Sequence, residues 1–319
     1  MDDKLNLYLQ TGLSKKNTII YTGFLAIILI LAMFTYSFHV FLIGVTAYIV
    51  SILVEYLFAK IRKKELGHSY ILTPIVFTLL LPPTLPLWIV GVGAFFGTFF
   101  AKGLFGGGNK YIFPPSVAGV LFITISFPAF LNSTWLDPGT LDIVTKTPIN
   151  YLGDFASSGF TFIDLLLGQT PGPLGVTFRL PIILIGLILF ILKVIDYKVT
   201  LSFIASFLIF TLVVNGLAPE TFKEPLYSLF TGSILFVAFF IASDSNIAPL
   251  SILGKISFGI GLGFFTVIIR HFSAYPEGVI FAVIIMSAVS PLLDDIFKPK
   301  SKEVIWWESI LKQLDLLLF

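Results

Sequence analysis

Long stretches without a charged residue constrain this chain more than any other feature. Asn17–Val54, Leu66–Ala101, Tyr111–Leu136 and Val199–Pro219 run for 38, 36, 26 and 21 residues without Asp, Glu, Lys or Arg. About 20 apolar residues in a helix cross the hydrocarbon core of a bilayer, so the first two runs are each long enough for a pair of crossings. Charged residues make up 12% of the chain, against about 25% in soluble proteins. A soluble enzyme, a disordered chain and a nucleic-acid binder are therefore excluded as descriptions of the whole, and the lipid membrane is the first expected partner.

The absence of cysteine removes disulfides, thiolate chemistry and any iron–sulfur cluster held by this chain's own Cys. The three histidines, His39, His68 and His271, lie far apart, and no metal site is expected from them. The first sixteen residues are polar and the first apolar segment exceeds a signal-peptide core, so no cleavable signal is expected.

Apolar stretches read against Pro, Gly and charge punctuation predict ten helices, at 18–38, 40–59, 69–81, 87–105, 115–131, 180–195, 199–216, 227–243, 255–271 and 278–294. With both termini cytoplasmic, 16 of the 20 Lys and Arg fall on the inner face, leaving Lys146, Arg179, Lys223 and Arg270 outside, as the positive-inside rule requires. The third helix of each half is short and runs into a break, at Leu81–Pro86 and at Ser243–Pro249. The fifth follows an aromatic-Pro step and ends at another Pro, Pro128 or Pro291. The expected fold class is an all-α integral membrane protein, ten transmembrane helices arranged as two inverted five-helix repeats with broken third helices. The expected division is 1–131 for the first repeat, 132–179 for an extracytoplasmic loop, 180–297 for the second repeat and 298–319 for a cytoplasmic amphipathic tail.

Four segments draw attention. Residues 132–179 form the one long polar insertion, either a functional loop or a loosely structured connection. Gly106-Gly107-Gly108-Asn109 lets backbone amides approach a ligand closely, although a tight turn explains it as well. Asp244 sits where a helix breaks among Ser243, Ser245 and Asn246, whose oxygens suit a cation or a cofactor. Glu55 is expected to reach the membrane interface, and Arg270 and Lys193 to snorkel from helix ends.

Several segments together resemble one family: the D subunit of the Rnf electron-transport complex and its relative, the B subunit of the sodium-pumping NADH:quinone reductase. The resemblance runs through Thr73–Trp88 (TPIVFTLLLPPTLPLW), Gly106–Asn109 and Pro173–Thr177 (PLGVT). It is densest in Gly254–Gly259 (GKISFG), Ile269–Gly278 (IRHFSAYPEG) and Pro291–Asp294 (PLLD). It covers most of residues 70–295 in order and is closer to the Rnf protein.

The resemblance implies a membrane flavoprotein subunit of an ion-translocating oxidoreductase in a bacterial or archaeal cytoplasmic membrane. Such a subunit is not catalytic alone. It passes electrons between ferredoxin- or NADH-linked subunits, coupled to export of Na⁺ or H⁺. FMN is joined through its phosphate to a Thr hydroxyl by a dedicated flavin transferase, and a second, non-covalent flavin (riboflavin) is a further expectation. The other membrane and peripheral subunits of an Rnf-type complex are the implied partners. The family's Ser-Gly-Ala-Thr-Pro-aliphatic attachment motif appears here only as Thr147-Pro148-Ile149. That makes Thr147 the covalent FMN candidate, with Thr145 as the alternative. Asn109, Thr177 and Asp244 are the other implied cofactor-binding positions. The family's Gly-Glu-Thr-Ser reads Gly175-Val176-Thr177-Phe178, without the Glu. A channel or transporter for a small neutral solute, on a similar inverted-repeat helix fold, is the alternative from a different functional class.

Overall fold

The computed structural model describes residues 13–108, 111–132, 134–151, 158–217 and 223–297. Five helices among them are long and apolar enough to cross a membrane: α1 (Lys15–Thr35), α2 (His39–Arg62), α9 (Tyr197–Leu217), α12 (Ile252–Phe272) and α13 (Val279–Phe297). Their starts follow ordinary capping chemistry. Ser14 Oγ accepts the Asn17 amide at 3.3 Å and Ser251 Oγ the Gly254 amide at 3.0 Å, each satisfying an orphan donor of the first turn. Helices α9 and α12 lie in close contact because Gly259 and Gly263, four residues apart, present no side chain to Ser202 and Ser206. The Ser206 hydroxyl then reaches the Gly259 carbonyl at 3.1 Å, a small-residue seam of the kind that joins membrane helices.

The remaining apolar stretches correct the expectation of ten spans in two matching repeats. They fold into shorter pieces: α3 (Leu72–Leu79), α4 (Leu87–Phe96, continued by a π turn to Gly103), α5 (Pro115–Ser126), α6 (Pro128–Asn132) and α8 (Arg179–Ile191). The predicted eighth span is two helices, α10 (Pro225–Phe230) and α11 (Ile234–Phe240). Every residue of α3 and of α11 is buried. A helix that is apolar all round and buried all round satisfies a protein core rather than lipid, which is why hydropathy counted these pieces as spans. At 8 and 7 residues they are well short of the about 20 that a crossing needs.

The breaks are held open by other segments. Pro82 and Pro83 carry no N–H and cannot continue α3. The carbonyls this frees are taken by the 173–177 segment: Gly175 donates to Leu79 O at 2.7 Å and Leu174 to Leu81 O at 2.9 Å. Between α10 and α11, Gly232 adopts φ +67°, which costs glycine little. Arg270 on α12 donates to Ser228 O at 2.7 Å and to Thr231 O at 3.3 Å. Irregular backbone buried within a membrane protein is tolerated only when re-satisfied in this way. Arg270 is 5% exposed; it braces a break and does not snorkel.

The 134–179 connection packs over these breaks. A two-residue antiparallel ribbon pairs β1 (Trp135–Leu136) with β2 (Ile143–Val144). A short helix, α7 (Phe162–Leu167), follows and stops at left-handed Gly168. The expected tail, 298–319, and residues 1–12 lie outside the described residues.

Two charged residues sit differently from their expected places. Lys102, expected on the inner face, is fully buried in the π turn and paired with Glu55 on α2, itself expected at the membrane interface. The sequence separates them by 47 residues, and both are enclosed by protein.

Candidate functional site

One cleft collects both helix breaks. It encloses about 890 Å³, part of it open to solvent. Leu80 at the first break, Gly232 and Ser233 at the second, and Thr147, Asn150, Arg179 and Glu277 all contribute to its wall. Most of the rest of the lining is apolar, from Val120, Ile149, Val176, Ile280 and Phe281 among others. A concave, mainly apolar cavity with a few convergent polar groups has the character of a ligand site.

Thr147 enters the cleft through a defined turn. Its Oγ1 lies 3.0 Å from Asn150 Oδ1, to which it donates, and its amide donates to the same oxygen at 2.8 Å. The turn at 148–150 is then latched onto α10 and the residues before it: Tyr227 Oη donates to Pro148 O at 2.6 Å and Lys223 Nζ donates to Ile149 O. Thr147 is 5% exposed. Thr145, two residues earlier, is exposed and does not line the cleft.

Three cations are buried at this end of the bundle: Arg179, Lys223 and Arg270, at 3%, 4% and 5% exposure. Glu277 is the one carboxylate among the cleft's lining residues, and its Oε2 accepts the Ser233 amide at 3.0 Å. Among the described residues no ion pair joins Glu277 to any of the three. Burial and the nearby Arg270 push the Lys223 ammonium down to about 7, with Glu277 opposing them.

A second pocket, of about 450 Å³, lies at the other end of the same short helices. It is lined by the starts of α3 and α5 (Leu72, Thr73, Pro115, Ser116), the end of α11 (Phe240) and Tyr21, Tyr111 and Asp244. Tyr111 donates to Asp244 Oδ2. Asn246 donates to Asp244 Oδ1 from its amide at 2.9 Å and its side chain at 3.1 Å, while Tyr21 reaches Phe240 O at 2.5 Å.

The sequence-predicted residues thus divide. Thr147 lines the cleft and Asp244 the second pocket. Thr177 stands behind the cleft wall: it donates to Pro173 O at 2.9 Å and accepts from Tyr36 Oη at 3.2 Å. Thr145 stays outside both cavities, and Asn109 lies outside the described residues. Sequence reasoning counted Arg179 and Lys223 only as topology markers. The available signal was a basic residue standing alone among apolar and Gly/Pro residues, which a membrane protein does not place idly.

Comparison with known proteins gives the family. Residues 9–303 match the model of the NQR2, RnfD, RnfE family. The chain is 30% identical over 285 residues to the D subunit of the proton-translocating ferredoxin:NAD(+) oxidoreductase complex of Clostridium ljungdahlii, covering 85% of this chain and 86% of that one. It is 32% identical over 250 residues to the B subunit of the Na(+)-translocating NADH-quinone reductase of Ectopseudomonas mendocina, covering 75% of this chain but only 62% of that one. A third relative is the D subunit of the ion-translocating oxidoreductase complex of Buchnera aphidicola, 28% identical over 287 residues, with 77% and 83% covered. A multi-pass membrane protein with its helix breaks gathered around one cleft, the chain belongs to the NQR2, RnfD, RnfE family.

Proposed function

We propose that this chain, by family a membrane subunit of an ion-translocating oxidoreductase complex, holds FMN through a phosphodiester to the Thr147 hydroxyl. One observation carries the reading: Thr147, unlike Thr145, is buried in the wall of the cleft, which is concave and mainly apolar with a few polar groups, as ligand sites are. The residues present fit such a group. Ile149, Val176, Ile280 and Phe281 offer apolar wall to a ring system, and Asn150, Ser233 and Glu277 offer polar atoms to its edge.

Bound at Thr147, the flavin would supply reversible electron transfer. The chain's own residues hold and shield it. Asn150 orients the Thr147 hydroxyl, Tyr227 and Lys223 fix the two carbonyls that follow it, and the apolar walls exclude water. The pocket around Tyr21, Tyr111 and Asp244 is the place for a second, non-covalent flavin. Helix α3, about 12 Å long at 1.5 Å per residue, reaches from one pocket to the other. On this reading 132–179 is the cofactor-bearing connection, exposed opposite the cytoplasm, and both termini are cytoplasmic. The remaining subunits of the complex feed electrons from ferredoxin or NADH and move Na⁺ or H⁺, and a flavin transferase loads Thr147.

Co-expression with a flavin transferase should give a fluorescent band at this chain's mass on a denaturing gel. Thr147→Val should abolish it and Thr145→Val should leave it unchanged. Non-fluorescent wild-type protein, or fluorescence surviving in Thr147→Val, would sink the assignment.

A further inference from the structure

The cleft contains a buried cation, Arg179, that forms no ion pair among the described residues. Arg179 opens α8 and is 3% exposed. Its Nη1 is fixed by three acceptors, Leu165 O and Thr170 Oγ1 at 3.0 Å and Thr177 O at 3.2 Å. All three are neutral. Its Nε is buried and has no hydrogen-bond partner. A buried ionised group without partner charge costs several kcal/mol, and a guanidinium stays protonated under all ordinary conditions. The cost is therefore not relieved by losing the proton.

The surroundings increase the deficit of negative charge. Lys223 and Arg270 are buried at the same end, and both spend their hydrogen bonds on carbonyls and a hydroxyl. Glu277, whose Oε2 accepts the Ser233 amide, is the one carboxylate of the lining and balances one of the three positive charges. Residue 179 also stands at the positive end of the α8 dipole. The chain packs closely at Gly232, where a Cβ would lie 2.6 Å from Ile149 Cδ1, 2.9 Å from Arg270 Nη2 and 3.0 Å from Glu277 Oε2, so a glycine is needed for Arg270 and Glu277 to approach the break. A cleft lined by Arg179, with three buried cations against one carboxylate and a guanidinium Nε without a partner, is suited to a small polyoxygen anion.

We infer that Arg179 is the anion-binding residue of this cleft, its guanidinium holding a phosphate-class oxygen of the group carried at Thr147. The inference rests on the Thr147 reading and deepens it: the chain recognises the phosphate of the flavin nucleotide as well as its ring. Arg179 is a binding residue, with Lys223 and Arg270 supplying the field around it.

The test compares FMN with riboflavin, which has the same ring and no phosphate. Full-length protein made without the flavin transferase is titrated with each, following quenching of flavin fluorescence. FMN should bind at least about tenfold more tightly, the least that a charge-assisted hydrogen bond supplies. Inorganic pyrophosphate should displace FMN and leave riboflavin bound. In Arg179→Gln the FMN preference should fall to about one, and Arg179→Lys should restore most of it by keeping the charge. Equal affinities in the wild type, or a preference that survives Arg179→Gln, would overturn the inference and leave the Thr147 reading standing. Should Arg179→Gln fail to fold, the pyrophosphate competition decides on the wild type alone. If neither flavin binds and no flavin is attached when the transferase is present, both readings fail together.

Discussion

The two ends of this bundle treat buried charge in opposite ways. Away from the Thr147 cleft, cations are paired within the chain: buried Lys102 with Glu55 and half-buried Lys255 with Asp196, while the carboxylate Asp244 is held by the neutral donors Tyr111 and Asn246. At the end of Thr147, Arg179, Lys223 and Arg270 are buried without an ion pair among the described residues. The same three short helices, α3, α5 and α11, run between the two ends. The first end is complete in the sense that its cations are paired as folded; the second leaves its cations without an ion pair and is the end we infer to take an anion. Evolution can place stability at the first and recognition at the second without changing the scaffold.

The largest effect should come from breaking a pair at the complete end. Lys102→Met leaves the Glu55 carboxylate buried, with one oxygen already lacking a partner. Removing one member of a buried pair costs about 3–5 kcal/mol. Thermal unfolding in detergent should show a large loss for Lys102→Met, and Glu55→Leu with Lys102→Met should recover most of it, since apolar replacement of both partners is often neutral. FMN attachment at Thr147 should be unaffected in the double variant. A single variant as stable as the wild type would mean that the pair is not a closed unit.

The incomplete end should show itself through pH. Lys223 lies between α9 and α10 and titrates at about 7 in the folded chain against 10.5 ordinarily. Below about 7 both folded and unfolded chains hold the proton, and folding carries the full cost of burying it. Between about 7 and 10 the folded chain has released a proton that the unfolded chain retains, so stability rises with pH across that window. Lys223→Met should flatten the rise, measured as unfolding temperature at pH 7 and pH 9. An anion in the cleft should also flatten it by raising the Lys223 pKa, so the flavin-loaded protein should respond less than the unloaded one. A loaded protein with the steeper response would contradict the comparison.

The same contrast explains which parts of the molecule the sequence discloses. Charge-free runs identify a membrane protein because a bilayer tolerates few unpaired charges, Asp244 stood out because a polar residue beside a helix break rarely lacks a task, and Thr147 only through the resemblance of Thr147-Pro148-Ile149 to a family motif. Hydropathy misjudged α3 and α11, since it measures avoidance of water and does not distinguish lipid from protein as the shelter. Lys102, read only as a marker of the inner face, is buried and paired, and Arg270, read as snorkelling, is buried as well. The partners that make them internal, Glu55 and the Ser228–Thr231 carbonyls, lie 47, 42 and 39 residues away. Arg179 was invisible for the same reason in reverse. An unanswered charge is recognised only after every neighbour has been found.

The smallest effect belongs to the pair that solvent already shares. Lys255 Nζ lies 2.5 Å from Asp196 Oδ2, with the side chains 23% and 24% exposed. Burial disfavours the charged carboxylate, but hydrogen bonds from Lys255 and from the Lys198 amide outweigh it and hold Asp196 below the usual carboxylate range. That contribution is present above the unfolded value of about 3.9 and fades as pH falls through the lower folded one. Partial exposure screens the attraction, so Asp196→Asn should cost about 1 kcal/mol or less, far below Lys102→Met. The loss should appear at neutral pH and vanish toward pH 3, where the wild-type carboxylate is itself being protonated. A cost matching that of Lys102→Met would show that the Asp196 loop is sealed from water as deeply as the Glu55 pair, and the boundary of the complete end would move outward to include it.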